Sequence, residues 1–154
     1  MASSREPNRR GGWGVPRVET RGMRIAPVPL YHVWFSTKNR KWLLQGEIAQ
    51  EVKQLMARVA DEKRIALAEC ETMVDHVHLL VEASDKAELS WFMKLLKGRS
   101  AYDVFKAHPG IKLDASTNSL WQTSFKARLV PSEQEATVRN YIRTQDQRLE
   151  KYER

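Results

Sequence analysis

Four side chains in this 154-residue sequence have types and spacings that could do chemistry together: His76 and His78, two apart, and Tyr141 and Gln145, four apart. Residues two apart in a β-strand share a face. Val77, Leu79 and Val81 alternate with the histidines, so a strand here sends the apolar set to a core and both imidazoles to the opposite face. Two imidazoles side by side on a rigid strand are half a metal site, or a phosphate-binding pair when protonated. A bare His-x-His triplet is more often one surface histidine beside one hydrogen-bonded core histidine, so its surroundings must decide. Val138, Ile142 and Leu149 form a helical stripe at i, i+4 and i+11, and the missing i+7 position is Gln145. An amide on a packing face needs a partner. Tyr141, four residues earlier, shares that side of the helix. If the helix covers the open sheet face, Gln145 offers its amide oxygen as a third ligand and Tyr141 stands beside the same metal. Without the histidines, Tyr141 would read as a packing aromatic and Gln145 as a boundary residue; the conjunction favours a site.

Other His-x-His chemistries fail on the residues. Histidine-triad nucleotide hydrolases need a third histidine where this chain has Leu80. Two-histidine phosphodiesterases need the motif twice, with Ser or Thr two after each histidine. Barrel amidohydrolases need far more chain.

The elements that must position these groups follow from periodicity. Residues 28–36 are aromatic and β-branched, with Pro29 confining them to a strand start or edge. Residues 46–64 carry Ile48, Val52, Leu55, Met56 and Val59 at helical spacing. Residues 65–73 and 76–82 read as two strands joined as a hairpin. Asp85 and Glu88 predict a capping box opening a helix that continues past Gly98 to about residue 105. A polar loop leads to a strand in 120–130. Ser132 and Glu135 predict a second capping box, with a helix running on towards the C-terminus. The order β-α-β-β-α-β-α predicts an α+β fold, a ferredoxin-like split βαβ sandwich with one antiparallel sheet and two helices on one face, plus a C-terminal helix for the other face. Fold alone does not give function.

Composition sets the bounds. The length suits one domain, and a formal charge of +7 favours a polyanionic partner such as nucleic acid. Residues 1–27 carry six arginines against two glutamates and are broken by Gly and Pro. They read as a basic, disordered tail or a DNA-touching arm, leaving 28–154 as the domain. The single cysteine, Cys70, excludes an intrachain disulfide and reads as a small core residue, fitting a cytoplasmic, reducing compartment. No apolar run is long enough to span a membrane, and the N-terminus lacks a secretory apolar stretch.

Over about residues 30–147 the chain resembles the single-tyrosine HUH transposases of bacterial insertion sequences and their domesticated REP-associated relatives. The resemblance rests on Tyr31-His32-Val33-Trp34-Phe35, on Met73-Val74-Asp75-His76-Val77-His78-Leu79-Leu80-Val81, on Leu96-Lys97-Gly98, on Leu120-Trp121 and on Tyr141-Ile142-Arg143-Thr144-Gln145. The extended histidine motif and the Tyr-x-x-x-Gln spacing are specific together. Val74 stands where the family usually has proline, and Ser124-Phe125 where a Gly-Tyr type pair is common. The resemblance implies a transposase and single-strand endonuclease and ligase. Tyr141 would attack a DNA phosphodiester to give a 5′-phosphotyrosine and a free 3′ hydroxyl. Mg2+ or Mn2+ on His76, His78 and Gln145 would assist. Two neutral imidazoles by themselves suit zinc or manganese better than magnesium, so the metal identity is an implication of the family. The partner implied is single-stranded DNA with hairpin ends, bound by a homodimer in which the Tyr141 helix acts in cis or in trans across the Val130-Pro131-Ser132 hinge, at the nucleoid.

Around that site, Asp75 reads as a partner orienting an imidazole or as an exposed turn residue. Lys94, Lys97 and Arg99 are candidate phosphate contacts or a solvated helix face. Arg139 and Arg143 could steady a phosphate beside Tyr141 or be surface charges. Trp34, Trp91 and Trp121 read as core. His32 and His108 read as structural, lacking companions at ligand spacing. Two rival functions stay open: a non-catalytic single-stranded nucleic-acid-binding module, of which a domesticated transposase is the intermediate case, and a metal phosphoesterase using water as nucleophile.

Overall fold

The computed structural model describes residues 28–111 and 119–145. The N-terminal tail expected at 1–27, the loop around 114–118 and the continuation of the last helix with Leu149 lie outside the described residues. Strand β1 is Leu30–Ser36, helix α1 Gly46–Glu62, β2 Leu67–Thr72, β3 His76–Glu82, α2 Lys86–Ala107, β4 Lys126–Val130 and α3 Glu135–Arg143. The sheet runs β2-β3-β1-β4, antiparallel throughout. This is the split βαβ arrangement, in which β3 returns between the two strands flanking α1.

Alternation decides which side of the sheet each residue sees. Tyr31, Val33 and Phe35 on β1 and Val77, Leu79 and Val81 on β3 are buried in one cluster. Val52, Leu55, Met56 and Val59 of α1 and Leu89, Phe92, Met93 and Leu96 of α2 complete it. His32, Trp34, His76, His78 and Leu80 fall on the other face. There a smaller cluster of Leu80, Val130, Val138 and Ile142 seats α3. Leu80, directly opposite His32 in the β1–β3 register, gives that helix its apolar footing.

Local signals explain the boundaries. Asp85 accepts the Glu88 backbone N–H at 2.8 Å, and the Glu88 carboxylate accepts the Ser84 N–H at 2.8 Å, so the first capping box closes one residue wider than predicted. Helix α2 then runs unbroken through Gly98. Ser132 and Glu135, in contrast, make no capping box. The Gln134 N–H bonds the Pro131 carbonyl at 2.9 Å, which tightens Ser132–Gln134 into a 3-10 turn, and α3 begins only at Glu135 with no side-chain cap. Nor is 120–130 one strand. Trp121 bridges Thr37 alone, and regular pairing starts at Lys126, because the Lys97 ammonium gathers the Gln122 and Ser124 carbonyls at 2.6 and 3.1 Å. Regular α3 ends at Arg143, capped by Thr144, and Gln145 is again helical just beyond that turn. Cys70 packs against the core from β2, and burial pushes its thiol up to about 12, out of reach of thiolate chemistry. Among the described residues no helix is long and apolar enough to cross a membrane.

Candidate active site

His76 and His78 sit on β3 with ring centroids 5.0 Å apart. Ser36 and Trp34 of β1 lie opposite them. The turn before β3 is pinned from two sides: the Asp75 carbonyl accepts from the Thr37 N–H at 2.9 Å, and the Val74 carbonyl accepts from the Leu44 N–H at 3.0 Å. That fixes the Asp75 carboxylate beside the ring it follows. Asp75 Oδ1 lies 2.7 Å from His76 Nδ1, and Asp75 Oδ2 accepts from Arg40 Nε at 3.1 Å. Arg40 has φ +53, a left-handed backbone uncommon for a long side chain, and from it the guanidinium reaches Asp75.

His78 is partnered too. Its Nδ1 lies 3.0 Å from Nε2 of His32, a buried ring on β1. Both ligand candidates thus use Nδ1 for a supporting contact, leaving Nε2 as the ring nitrogen open to a metal. Burial pushes His78 down to about 3, aided by the neighbouring His76 and His32 rings. Burial, then the charge of Arg128, pushes His32 down to about 4. Both rings are therefore neutral at pH 7, the state that ligation requires.

Helix α3 brings the remaining groups. The Tyr141 ring stands edge-on to His78 at 5.9 Å and to His32 at 6.0 Å, centroid to centroid. Gln145 Nε2 donates to the Tyr141 carbonyl at 3.1 Å, which commits the amide nitrogen and leaves the amide oxygen for another partner. His76, His78, Tyr141 and Gln145 line one cavity of about 580 Å³. Among the described residues no three His, Cys, Asp or Glu side chains could hold a metal together. A cation at the histidine pair therefore needs a different third donor, and a neutral amide oxygen suits a hard divalent ion. The residues present fit such an ion.

The basic residues singled out in the sequence go elsewhere. Arg139 and Arg143 both grip Glu69 of β2, at 3.0 and 2.7 Å, and clamp α3 to the sheet. Lys97 is engaged by loop carbonyls, and burial lowers its pKa. Arg99 pairs with Glu62 at 3.2 Å. Lys94 lines a separate cavity beside Trp121 on α2. The cavity at the histidines is instead rimmed by Trp34, Arg40, Gln122, Phe125 and Lys126. Trp34, expected in the core, is half-buried at this rim, whereas Trp121 is buried. The signal for Trp34 lay in its parity: it alternates with Val33 and Phe35, so it must share the face of the histidines. His108, expected to be structural, pairs with Glu51 at 2.8 Å far from this cavity.

Comparison with known proteins agrees with this architecture. Residues 29–145 match the family model described as IS200-like transposases. The chain is 33% identical over 115 residues to the ISDra2 transposase TnpA of Deinococcus radiodurans, covering 75% of this chain and 82% of that one. It is 27% identical over 115 residues to the transposase for insertion sequence element IS200 of Salmonella typhimurium, covering 75% of each. A crystal structure of a candidate transposase from Deinococcus radiodurans superposes with a TM-score of 0.63 at 32% identity, over 79% of this chain and 95% of that one. A REP-associated tyrosine transposase bound to a REP hairpin shares the fold, with a TM-score of 0.56 at 12% identity over 79% and 68%. The chain belongs to the IS200-like transposase family. DNA binding and DNA transposition follow from that membership.

Proposed function

We propose that this transposase cuts and rejoins single-stranded DNA with Tyr141 as nucleophile, assisted by a divalent cation held by His76, His78 and Gln145. The observation that carries the proposal is the convergence of Tyr141, Gln145 and two back-supported imidazoles on one cavity. When bound, Mg2+ or Mn2+ would neutralise charge on the scissile phosphate. The chain's own groups do the rest. The Tyr141 oxygen bonds to phosphorus as the bond to the 3′ oxygen breaks; the tyrosine gives up its proton and the departing 3′ oxygen gains one. The phosphotyrosine keeps the bond energy, so a 3′ hydroxyl can reverse the step without ATP. Trp34 and Phe125 offer ring faces for unpaired bases, and Arg40 and Lys126 offer charge for the backbone. Single-stranded DNA with hairpin ends is the proposed substrate. A homodimer is the proposed working unit. The part of the chain that carries this activity is 28–154, with 1–27 a basic extension.

Single-stranded DNA labelled at either end, incubated with the protein and Mn2+, should yield a detergent-resistant protein–DNA adduct on the 5′-phosphate side. Tyr141→Phe should reduce the adduct by at least about 10³-fold, as loss of a nucleophile does. Cleavage without any adduct would sink the tyrosine assignment in favour of a water nucleophile. Binding without cleavage, unaffected by His76→Ala, would leave only a binding module.

A further inference from the structure

His32 is 3% exposed, and its ring stacks on His78 with centroids 5.2 Å apart and planes inclined by 26°. Two ring nitrogens 3.0 Å apart need one proton between them, one donating and the other accepting. Two arrangements satisfy the contact. In the first, His32 Nε2–H donates, and His78 carries its own proton on Nε2, where it blocks ligation. In the second, His78 Nδ1–H donates and His78 Nε2 is a bare lone pair, while the proton of His32 sits on Nδ1. His32 Nδ1 is buried without a hydrogen-bond partner. It is unpaired in both arrangements and so does not choose between them. A cation at His78 Nε2 is compatible only with the second.

We propose that His32 is a positioning residue for the metal site: it accepts the Nδ1 proton of His78 and holds that ring with its Nε2 lone pair towards the cavity shared with Tyr141. The proposal rests on the reading of His76, His78 and Gln145 as metal ligands. It gives each histidine a support of a different kind. His76 stands at the turn, where Asp75, itself paired with Arg40, lends a negative charge. His78 stands beneath α3, where position 32 faces Leu80 and the apolar cluster seating that helix. A carboxylate there would have to be desolvated beneath the helix, at a cost of several kcal/mol before any pairing with Arg128 across β4. A neutral imidazole accepts the same proton without charge. The Tyr141 ring meets both members of the pair edge-on, so His32 also packs against the proposed nucleophile.

The test uses the full chain with 15N-labelled histidine, as wild type, His32→Gln and His32→Leu. Glutamine places an amide oxygen near the Nε2 position; leucine keeps volume without an acceptor. Long-range 1H–15N correlation spectra with Mg2+ read the tautomer of His78, and electron paramagnetic resonance titration with Mn2+ reads affinity. Wild type should carry the His78 proton on Nδ1. His32→Gln should keep that tautomer with Mn2+ affinity within about threefold, while His32→Leu should weaken binding about 10- to 100-fold, the usual effect of losing such a partner. A His78 proton on Nε2 in the metal-loaded wild type overturns the proposal. So does equal weakening in both variants, which marks His32 as a space-filling residue, and so does leucine binding as tightly as wild type. If His32→Leu fails to fold, the wild-type tautomer and His32→Gln still decide. Wild type binding Mn2+ no better than His76→Ala would instead overturn the metal reading.

Discussion

The residues of this site are set by their neighbours' protons as much as by their own positions. His32 and His78 are held neutral by burial, pushed down to about 4 and about 3 from the ordinary 6.5. The unfolded chain protonates both near pH 6.5, whereas the folded chain protonates them only near those lower values. Between these limits the unfolded state binds more protons, so folding stability falls as pH drops from 7 towards 5. In EDTA, the melting temperature should therefore be lower at pH 5 than at pH 7. Replacing His32 and His78 together by Leu should flatten that dependence; an unchanged slope in the double variant would locate the acid sensitivity elsewhere.

At the scale of elements, α3 is the part whose position matters most and whose footing is smallest. Its buried apolar contact is Val138 and Ile142 on Leu80 and Val130, with Leu30 and Ala68 packed at the margin and the Glu69 clamp beside it. Ile142→Ala should cost about 2–5 kcal/mol of local docking energy, and adduct formation should fall by more than tenfold. The main core, which α3 does not enter, should keep its far-ultraviolet circular dichroism. A variant that loses the whole fold would show that α3 and the core unfold as one unit. The loop at 122–125 depends on Lys97 in a similar way. If Lys97 holds Gln122 and Ser124 as seen, Lys97→Met should lower the melting temperature by about 3–5 °C and leave the salt dependence of DNA binding unchanged. A direct phosphate contact would instead reduce that slope by about one ion.

Across the whole molecule, the open question of architecture is which chain supplies the tyrosine. In the single chain α3 lies on its own sheet, with Tyr141 beside its own His78. Residues 131–134 form a short connection between β4 and α3, and exchange between two copies would turn about it. Mixing Tyr141→Phe with His76→Ala, each expected to be inactive alone under the proposed chemistry, tests this in one step. Activity of about a quarter of wild type at equal mixing is expected if α3 acts in trans, because half the dimers are mixed and each has one intact site. No recovery on mixing, with dimers exchanging freely, would assign the cis arrangement.

Much of this was legible in residue spacing. The alternation of Val77, Leu79 and Val81 with the histidines places His76 and His78 on the face away from the core, because a strand has period two. The helical stripe of Val138 and Ile142 similarly marks the seat of α3, and the order of strands and helices follows from where each periodicity changes. Cross-strand chemistry was not legible. His32 and His78 are 46 residues apart, and their contact depends on the antiparallel register of β1 on β3, which spacing along one chain does not encode. Arg139 and Arg143 look like free cations beside a tyrosine until Glu69, some 70 residues away, is brought under them. Lys97 looks like a phosphate ligand until two carbonyls meet it. Sequence by itself determined the faces and the four groups that converge, since local periodicity is a property of the backbone. Tertiary structure alone decided what stands behind each imidazole and which charges are already spent, since those depend on distances that only the folded sheet creates.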